Sequence, residues 1–174
     1  MDLYYQSFKS KIGMITLGYT KDFLVNISFG KILDSSITKL EYFNKIIKDD
    51  STNEYYKELE EYFNKERKQF NINYKLFGSK FCKLVWRELG KIEYGRLKTY
   101  KNIAVNIGGT RYSRAVGLAN GKNPIPIIIP CHRIIKSDGS LGGYSSGVEM
   151  KEKLLEIEGI NVKSLTNNTL YRKY

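Results

Sequence analysis

The chain is poor in the residues that staple or metallate a fold. Its 174 residues include two cysteines, one histidine, one tryptophan and three prolines. Cys82 and Cys131 are too few for a disulfide framework, and they fit a reducing compartment in which a reactive thiol survives. One histidine beside one cysteine supplies too few ligands for a tetrahedral zinc site. No apolar run reaches the length that spans a bilayer. The opening Met1-Asp2-Leu3-Tyr4-Tyr5 lacks the basic-then-apolar form of a secretion signal. No glycine-rich loop follows a strand to cradle a phosphate. The resulting expectation is a cytoplasmic protein with no membrane partner, no metal and no cofactor.

Positive charge is abundant and unevenly placed. The net charge is +11, and residues 1–78 hold 12 Lys+Arg against 11 Asp+Glu. Residues 79–174 therefore hold 17 against 7. A nearly neutral first half and a basic second half suggest that the second half binds a polyanion. A solvated lysine-rich surface would give the same counts.

Residues 4–8, 13–19 and 23–29 are short and rich in β-branched and aromatic side chains, with turns between them, and predict a small antiparallel sheet. Asp34 or Ser35 is placed to cap a helix running to about Lys48. Asn53 is placed to cap a second, with Tyr55, Tyr56, Leu59, Tyr62 and Phe63 at helical spacing. Residues 70–77 alternate and are expected to be extended. This first half reads as an α/β unit ending near Gly78.

The second half reads as helical. Ser79 caps a segment with Phe81, Leu84, Val85 and Leu89 on one face, and Cys82 is expected in its core. Glu93-Tyr94-Gly95-Arg96 is a turn. Thr99 caps residues 100–107, which Gly108-Gly109 stop. Ser113 caps residues 114–120, which Gly121 stops, and residues 149–158 form a last helix stopped by Gly159. Two short helices joined by Gly108-Gly109-Thr110 have the proportions of a helix-turn-helix, with Arg111 and Arg114 at the start of the second; an ordinary helical hairpin has the same proportions.

Pro130-Cys131-His132-Arg133 closes the longest apolar run, residues 124–129, and holds the only histidine. A cysteine is a good nucleophile as thiolate, and an imidazole within reach is a common way to reach that state. Neighbours in an extended segment point to opposite sides, so a direct Cys131–His132 pair needs a bend or a bridging water. The alternative is an inert buried cysteine after a core strand. Gly142-Gly143-Tyr144-Ser145 is a tight turn of small residues that either admits a flat ligand or is a plain loop.

Arg114-Ala115-Val116-Gly117, Asn123-Pro124, Ile127-Ile128-Ile129-Pro130-Cys131-His132-Arg133 and Leu141-Gly142-Gly143-Tyr144-Ser145, in this order and spacing, resemble the O6-alkylguanine-DNA alkyltransferase family. Val85-Trp86, Tyr94-Gly95, Thr99-Tyr100 and residues 154–159 extend the likeness, which is strong over 79–160 and loose before it. The resemblance implies an α+β chain: a small antiparallel-sheet α/β domain of ribonuclease H-like form at residues 1–78, then a mostly helical, winged-helix-like domain with a helix-turn-helix at 79–174. It implies a monomer that binds double-stranded DNA containing O6-alkylguanine, flips out that base or an O4-alkylthymine, and moves the alkyl group irreversibly onto its own cysteine.

By position, the resemblance makes Cys131 the acceptor, His132 the base acting through a water, Glu158 the group that orients it, and Asn123 a hinge between segments. Arg114 fills the gap left by the flipped base, with Arg111 and Ser113 beside it on the DNA. Tyr100 crowds the 3′ phosphate and contacts the base. Gly142, Gly143, Tyr144 and Ser145 line the guanine pocket. Members that bind zinc use Cys and His residues in the first half, and residues 1–78 contain neither. Asn120 stands where some members carry a bulky apolar residue, which widens or polarises the pocket. Arg133 is expected to tie loops together internally. A lesion binder without chemistry, or a cysteine hydrolase that turns over, are the rival readings.

Overall fold

Strands β1 (Leu3–Ser10), β2 (Gly13–Tyr19) and β3 (Leu24–Phe29) fold back on one another in antiparallel register, with Tyr4 opposite Tyr19 and Ile15 opposite Phe29. In the computed structural model, which describes residues 1–30, 33, 35–39, 41–51, 53–163 and 165, the chain divides into two units, Met1–Phe77 and Gly78–Tyr174. No helix among the described residues is long and apolar enough to cross a membrane.

In the first unit the expected helix from 34 to 48 does not form. Asp34 lies outside the described residues. Helix α1 is only Ser35–Thr38, and Ile46–Lys48 form a strand, β4, that joins the sheet parallel to β1. The sheet is thus mixed, in the order β3-β2-β1-β4. The free edge of β1 decides this outcome: Leu3 N donates to Lys45 O at 2.9 Å, and Leu3 registers with Ile46. A β-branched pair such as Ile46-Ile47 suits an edge better than a helix.

Helix α2 (Glu54–Phe63) starts where expected, with Asn53 Oδ1 accepting from Tyr56 N at 3.0 Å. It buries Tyr55, Leu59, Tyr62 and Phe63. The segment after it lies along β3, where Leu24 N donates to Asn73 O and Lys75 N to Leu24 O, both at 2.9 Å.

The second unit is helical. Helix α3 (Lys80–Leu89) is capped by Ser79, and buries Val85, Trp86 and Leu89. Leu84, expected inside, is exposed, and Trp86 takes the core position, with its Nε1 donating to Ala119 O at 2.8 Å. Cys82 is only partly buried. Strand β5 (Lys98–Thr99) leads into α4 (Tyr100–Asn106), whose N-terminus carries a capping box between Thr99 and Asn102.

Ser113 does not cap the next helix. A 3-10 turn over Thr110–Tyr112 runs straight into α5 (Ser113–Gly121), so Ser113 already has helical angles and its hydroxyl donates back to Thr110 O at 2.6 Å. Strand β6 (Ile134–Ile135) pairs in parallel with β5, and helix α6 (Val148–Ile157) closes the unit.

Candidate active site

The segment between α5 and β6 is shaped by backbone, not by a strand. The residues before Cys131 are buried, as their apolarity demands, but Ile127 adopts a left-handed φ of 77°. That conformation costs a β-branched residue about 1–3 kcal/mol. A turn closed by Ile129 N to Ile125 O at 2.9 Å holds it. Asn123 clasps the same loop: Nδ2 donates to Ile129 O at 2.7 Å, and Oδ1 accepts from Ile125 N at 3.1 Å.

Cys131–Arg133 then form a 3-10 turn in place of the expected extended run. With three residues per turn, neighbouring side chains fan apart instead of opposing each other. All three are buried, and Cys131 is 2 % exposed. The thiol donates to Tyr144 Oη at 3.7 Å. Burial pushes the Cys131 thiol up, while the Asn123 and Tyr144 side chains and the charge of Lys151 pull it down; the net direction is up. At rest the group is a thiol.

His132 is bound to the Glu158 carboxylate. Its Nε2 lies 2.7 Å from Glu158 Oε1, and its Nδ1 is buried without a protein partner. Burial lowers the His132 pKa against the pull of Glu158, so the ring is neutral, with Nε2–H donating to the carboxylate.

Glu158 sits at the C-terminal end of α6, where a helix dipole disfavours a carboxylate. Donors from three directions offset this. Arg133 donates from Nε to Oε2 at 2.9 Å and from Nη2 to Oε1 at 2.8 Å, Gly95 N donates to Oε2 at 3.1 Å, and His132 completes the set. Burial alone would push Glu158 up; His132 and Arg133 hold it down, at about 2. Gly95 has φ 70°, and a Cβ there would meet Glu158 O at 3.2 Å. Arg133 also donates to Ile92 O, so it ties loops together inside the unit, as expected.

A cavity of about 200 Å³ is lined by Tyr100, Gly117, Asn120, Gly121, Gly143, Tyr144 and Ser145. Gly142, at φ 69°, packs on the Tyr100 ring: a Cβ there would lie 3.5 Å from it. Two lining residues reach the Cys131 turn, Tyr144 by accepting from Sγ at Oη and Asn120 by donating from Nδ2 to Cys131 O at 3.5 Å.

Of the expected DNA-side residues, Tyr100 lines this cavity, and Arg111, Ser113 and Arg114 are not among its lining. Arg111 is exposed in the 3-10 turn before α5, Arg114 is exposed in its first turn, and Ser113 is half-buried. Arg111 lies over the Tyr112 ring, 5.0 Å from its centroid. The C-terminal half of α5, through Gly117, Asn120 and Gly121, forms the cavity wall.

Lys151 escaped the sequence reading. It is fully buried on α6, and its Nζ donates to Ile134 O and Leu141 O. A signal was present: Lys151 precedes Leu154, Leu155 and Glu158 by three, four and seven residues, so it shares their helix face.

The second unit matches the family model "6-O-methylguanine DNA methyltransferase, DNA binding domain" over residues 80–160, and residues 3–76 match the same family's ribonuclease-like domain. A methylated-DNA–protein-cysteine methyltransferase of Methanosarcina acetivorans is 42% identical over 163 residues, covering 90% of this chain and 99% of that one. Another from Metallosphaera sedula is 38% identical, covering 91% and 95%. The crystal structure of Mycobacterium tuberculosis OGT in complex with DNA superposes with a TM-score of 0.80 at 36% identity, covering 96% of this chain and 97% of that one.

Proposed function

The chain belongs to the 6-O-methylguanine DNA methyltransferase family and is a methylated-DNA–protein-cysteine methyltransferase; from that premise we propose that it flips O6-alkylguanine, and O4-alkylthymine, out of duplex DNA and keeps the alkyl group on Cys131. The observation that carries this reading is the double link between the cavity and Cys131. Tyr144 lines the cavity and bonds Sγ, and Asn120 lines it and bonds the Cys131 carbonyl.

An alkyl carbon inside the stack cannot be attacked in line, so the base leaves the helix. The basic second unit grips the phosphates, with α4 and α5 as the helix-turn-helix. Arg111 and Ser113 meet the DNA beside Arg114, whose flat cation enters the stack and recovers part of the unstacking cost. Tyr100 crowds the 3′ phosphate and contacts the turned base. Gly142 and Gly143 leave room for its ring.

His132 is suited to the proton step. Its Nε2 is committed to Glu158, which leaves Nδ1 to take the Cys131 proton by way of a water. Glu158 steadies the imidazolium that forms. The thiolate then attacks the alkyl carbon, a C–S bond forms and the C–O6 bond breaks. The electron pair goes to the base, where donors from Tyr144 and Ser145 stabilise the charge, and the His132 proton neutralises it. A thioether is inert to hydrolysis, so each molecule reacts once. O4-alkylthymine presents the same ether to the sulfur. Asn123 fixes the loop that delivers Cys131.

All of these residues lie in one unit of one chain, so a monomer suffices, and two free cysteines suit the cytoplasm. The test is a mass measurement after incubation with a duplex containing O6-methylguanine. One methyl group is gained per molecule, on the peptide that contains Cys131, and none in Cys131→Ala. Binding with no mass gain, or repeated turnover, overturns the reading.

A further inference from the structure

Leu118 is 70% exposed, more than any other large hydrophobic side chain among the described residues. A lone exposed leucine is ordinary; the setting of this one is not. Helix α5 buries Val116, Ala119 and Asn120. On its opposite face Leu118 comes one turn after Arg114 and one turn before Lys122, and both are exposed. Arg111 adds another exposed cation at the Arg114 end. That outer face is thus apolar at its centre and cationic at both ends. Between Glu93 and Asp138 the sequence has no Asp or Glu, so no carboxylate from this stretch offsets the cations. Gly117 and Gly121, on either side of Leu118 in the helix, line the cavity that Tyr144 also lines.

A second copy of this chain, docked through the same face, would set Arg114 and Lys122 against their own like. Duplex DNA brings phosphates to the cations, and deoxyribose and base edges to the leucine. Resting on the reading that α5 meets the duplex, we propose that Leu118 is a further DNA-contacting residue: it packs on deoxyribose and base edges beside the site of Arg114 and supplies a part of duplex affinity that salt does not screen. At a rise of about 1.5 Å per residue, Leu118 stands about 6 Å from Arg114 along the helix. Its contact therefore falls within about two base steps of the gap that Arg114 fills. An apolar side chain wedged there keeps neighbouring steps from closing. It reads no hydrogen-bond pattern, so it serves any sequence.

The test is the affinity of the full chain for a short fluorescent duplex without an alkylated base, measured by anisotropy over a series of salt concentrations. Phosphate contacts set the slope of log affinity against log salt, and an apolar contact sets its level. Leu118→Ala lowers the affinity about 5- to 30-fold at every salt concentration, with the slope unchanged. Leu118→Met, similar in volume and polarity, stays within about threefold of the natural chain. Both variants melt within a degree or two of it, because the side chain is exposed.

Equal affinity of Leu118→Ala and the natural chain overturns the proposal. So does a loss that comes with a shallower slope, because phosphate contacts are then what the substitution removed. A natural chain that sediments as a dimer, and that Leu118→Ala turns into a monomer, overturns it too and gives the face to a second copy. No binding of duplex by the natural chain strikes the reading of α5 and the proposal with it. Binding without methyl transfer is a separate result: it strikes Cys131 as acceptor and leaves the Leu118 contact standing.

Discussion

Between Met1 and Phe77, the fully buried polar side chains among the described residues are Gln6, Thr16, Thr20 and Asn26, all neutral. From Gly78 onward they are Asn120, His132, Arg133, Lys151 and Glu158. The neutral set is satisfied by backbone carbonyls: Gln6 Nε2 donates to Ser51 O at 2.7 Å, and the Thr16 hydroxyl to Gly30 O at 2.7 Å. A satisfied amide or hydroxyl is nearly free to bury. A charge is not, and replacing a buried ionic cluster with apolar side chains is often stabilising. The second unit therefore carries a cost that stability alone does not require, concentrated on the Cys131–Arg133 turn and helix α6. Perturbed, paired titratable groups gathered at a cavity mark a site that does chemistry.

The sharpest way to break this contrast is Glu158→Gln. It leaves Arg133 buried with no counter-charge and His132 without its carboxylate, at a cost of about 3–5 kcal/mol. The check is the denaturant midpoint, with alkyl transfer falling alongside. The pH dependence has a defined sign. Glu158 titrates at about 2 when folded, against about 4.3 in an unfolded chain. A depressed carboxylate stabilises above its unfolded value, and that contribution is lost as pH falls through the window between the two. The gap in melting temperature between the natural chain and Glu158→Gln should therefore close as pH drops from about 5 toward about 2. A constant gap would mean that the carboxylate's charge is not what the cluster uses.

These buried charges were the least legible part of the sequence. The caps at Asn53, Ser79 and Thr99 were readable because each bond spans three residues. Residues 34–48 were misread because the pairing of Ile46 with Leu3 spans the whole unit and leaves no local trace. Ser113 was misread because the preceding 3-10 turn, with its own bonds, makes the hydroxyl a follower and not a cap. Pairing of His132 with Glu158 crosses 26 residues; no periodicity reports it, and only the resemblance pointed to it. Lys151 is hard to read from sequence because a lysine on a helix is ordinarily solvated, and its two carbonyl partners belong to segments with no regular pattern.

Arg114 sharpens the contrast from the other side, because it is a charge of the second unit that is exposed. Arg114→Ala should leave the melting temperature within a degree or two, since nothing buried depends on it. It should slow repair in duplex by about 10- to 100-fold, the scale of a lost stacking and filling contact. Reaction with free O6-benzylguanine needs no base flipping and should change less than about twofold. Equal losses on both substrates would take Arg114 away from the duplex and return it to the pocket.

The smallest effect belongs to Arg67, the nearest thing the first unit has to a charge cluster. Its Nε lies 2.7 Å from Glu61 Oε2, and its Nη1 lies 3.3 Å from Glu58 Oε2. Arg133 grips one carboxylate with two N–H groups where Arg67 touches two carboxylates once each, and the setting differs as well: the Arg67 side chain is 26% exposed and Arg133 only 6%. Water screens the first pair and reaches whichever partner is left behind. Glu58 also keeps the Asn71 N–H at 2.9 Å when Arg67 is gone. Arg67→Ala should thus cost about 0.2–1 kcal/mol, and less as salt rises, read from the denaturant midpoint at low and high ionic strength. A loss approaching that of Glu158→Gln would show that burial is not what separates the two units, because the more exposed and less tightly gripped arginine would then be worth as much as the buried one.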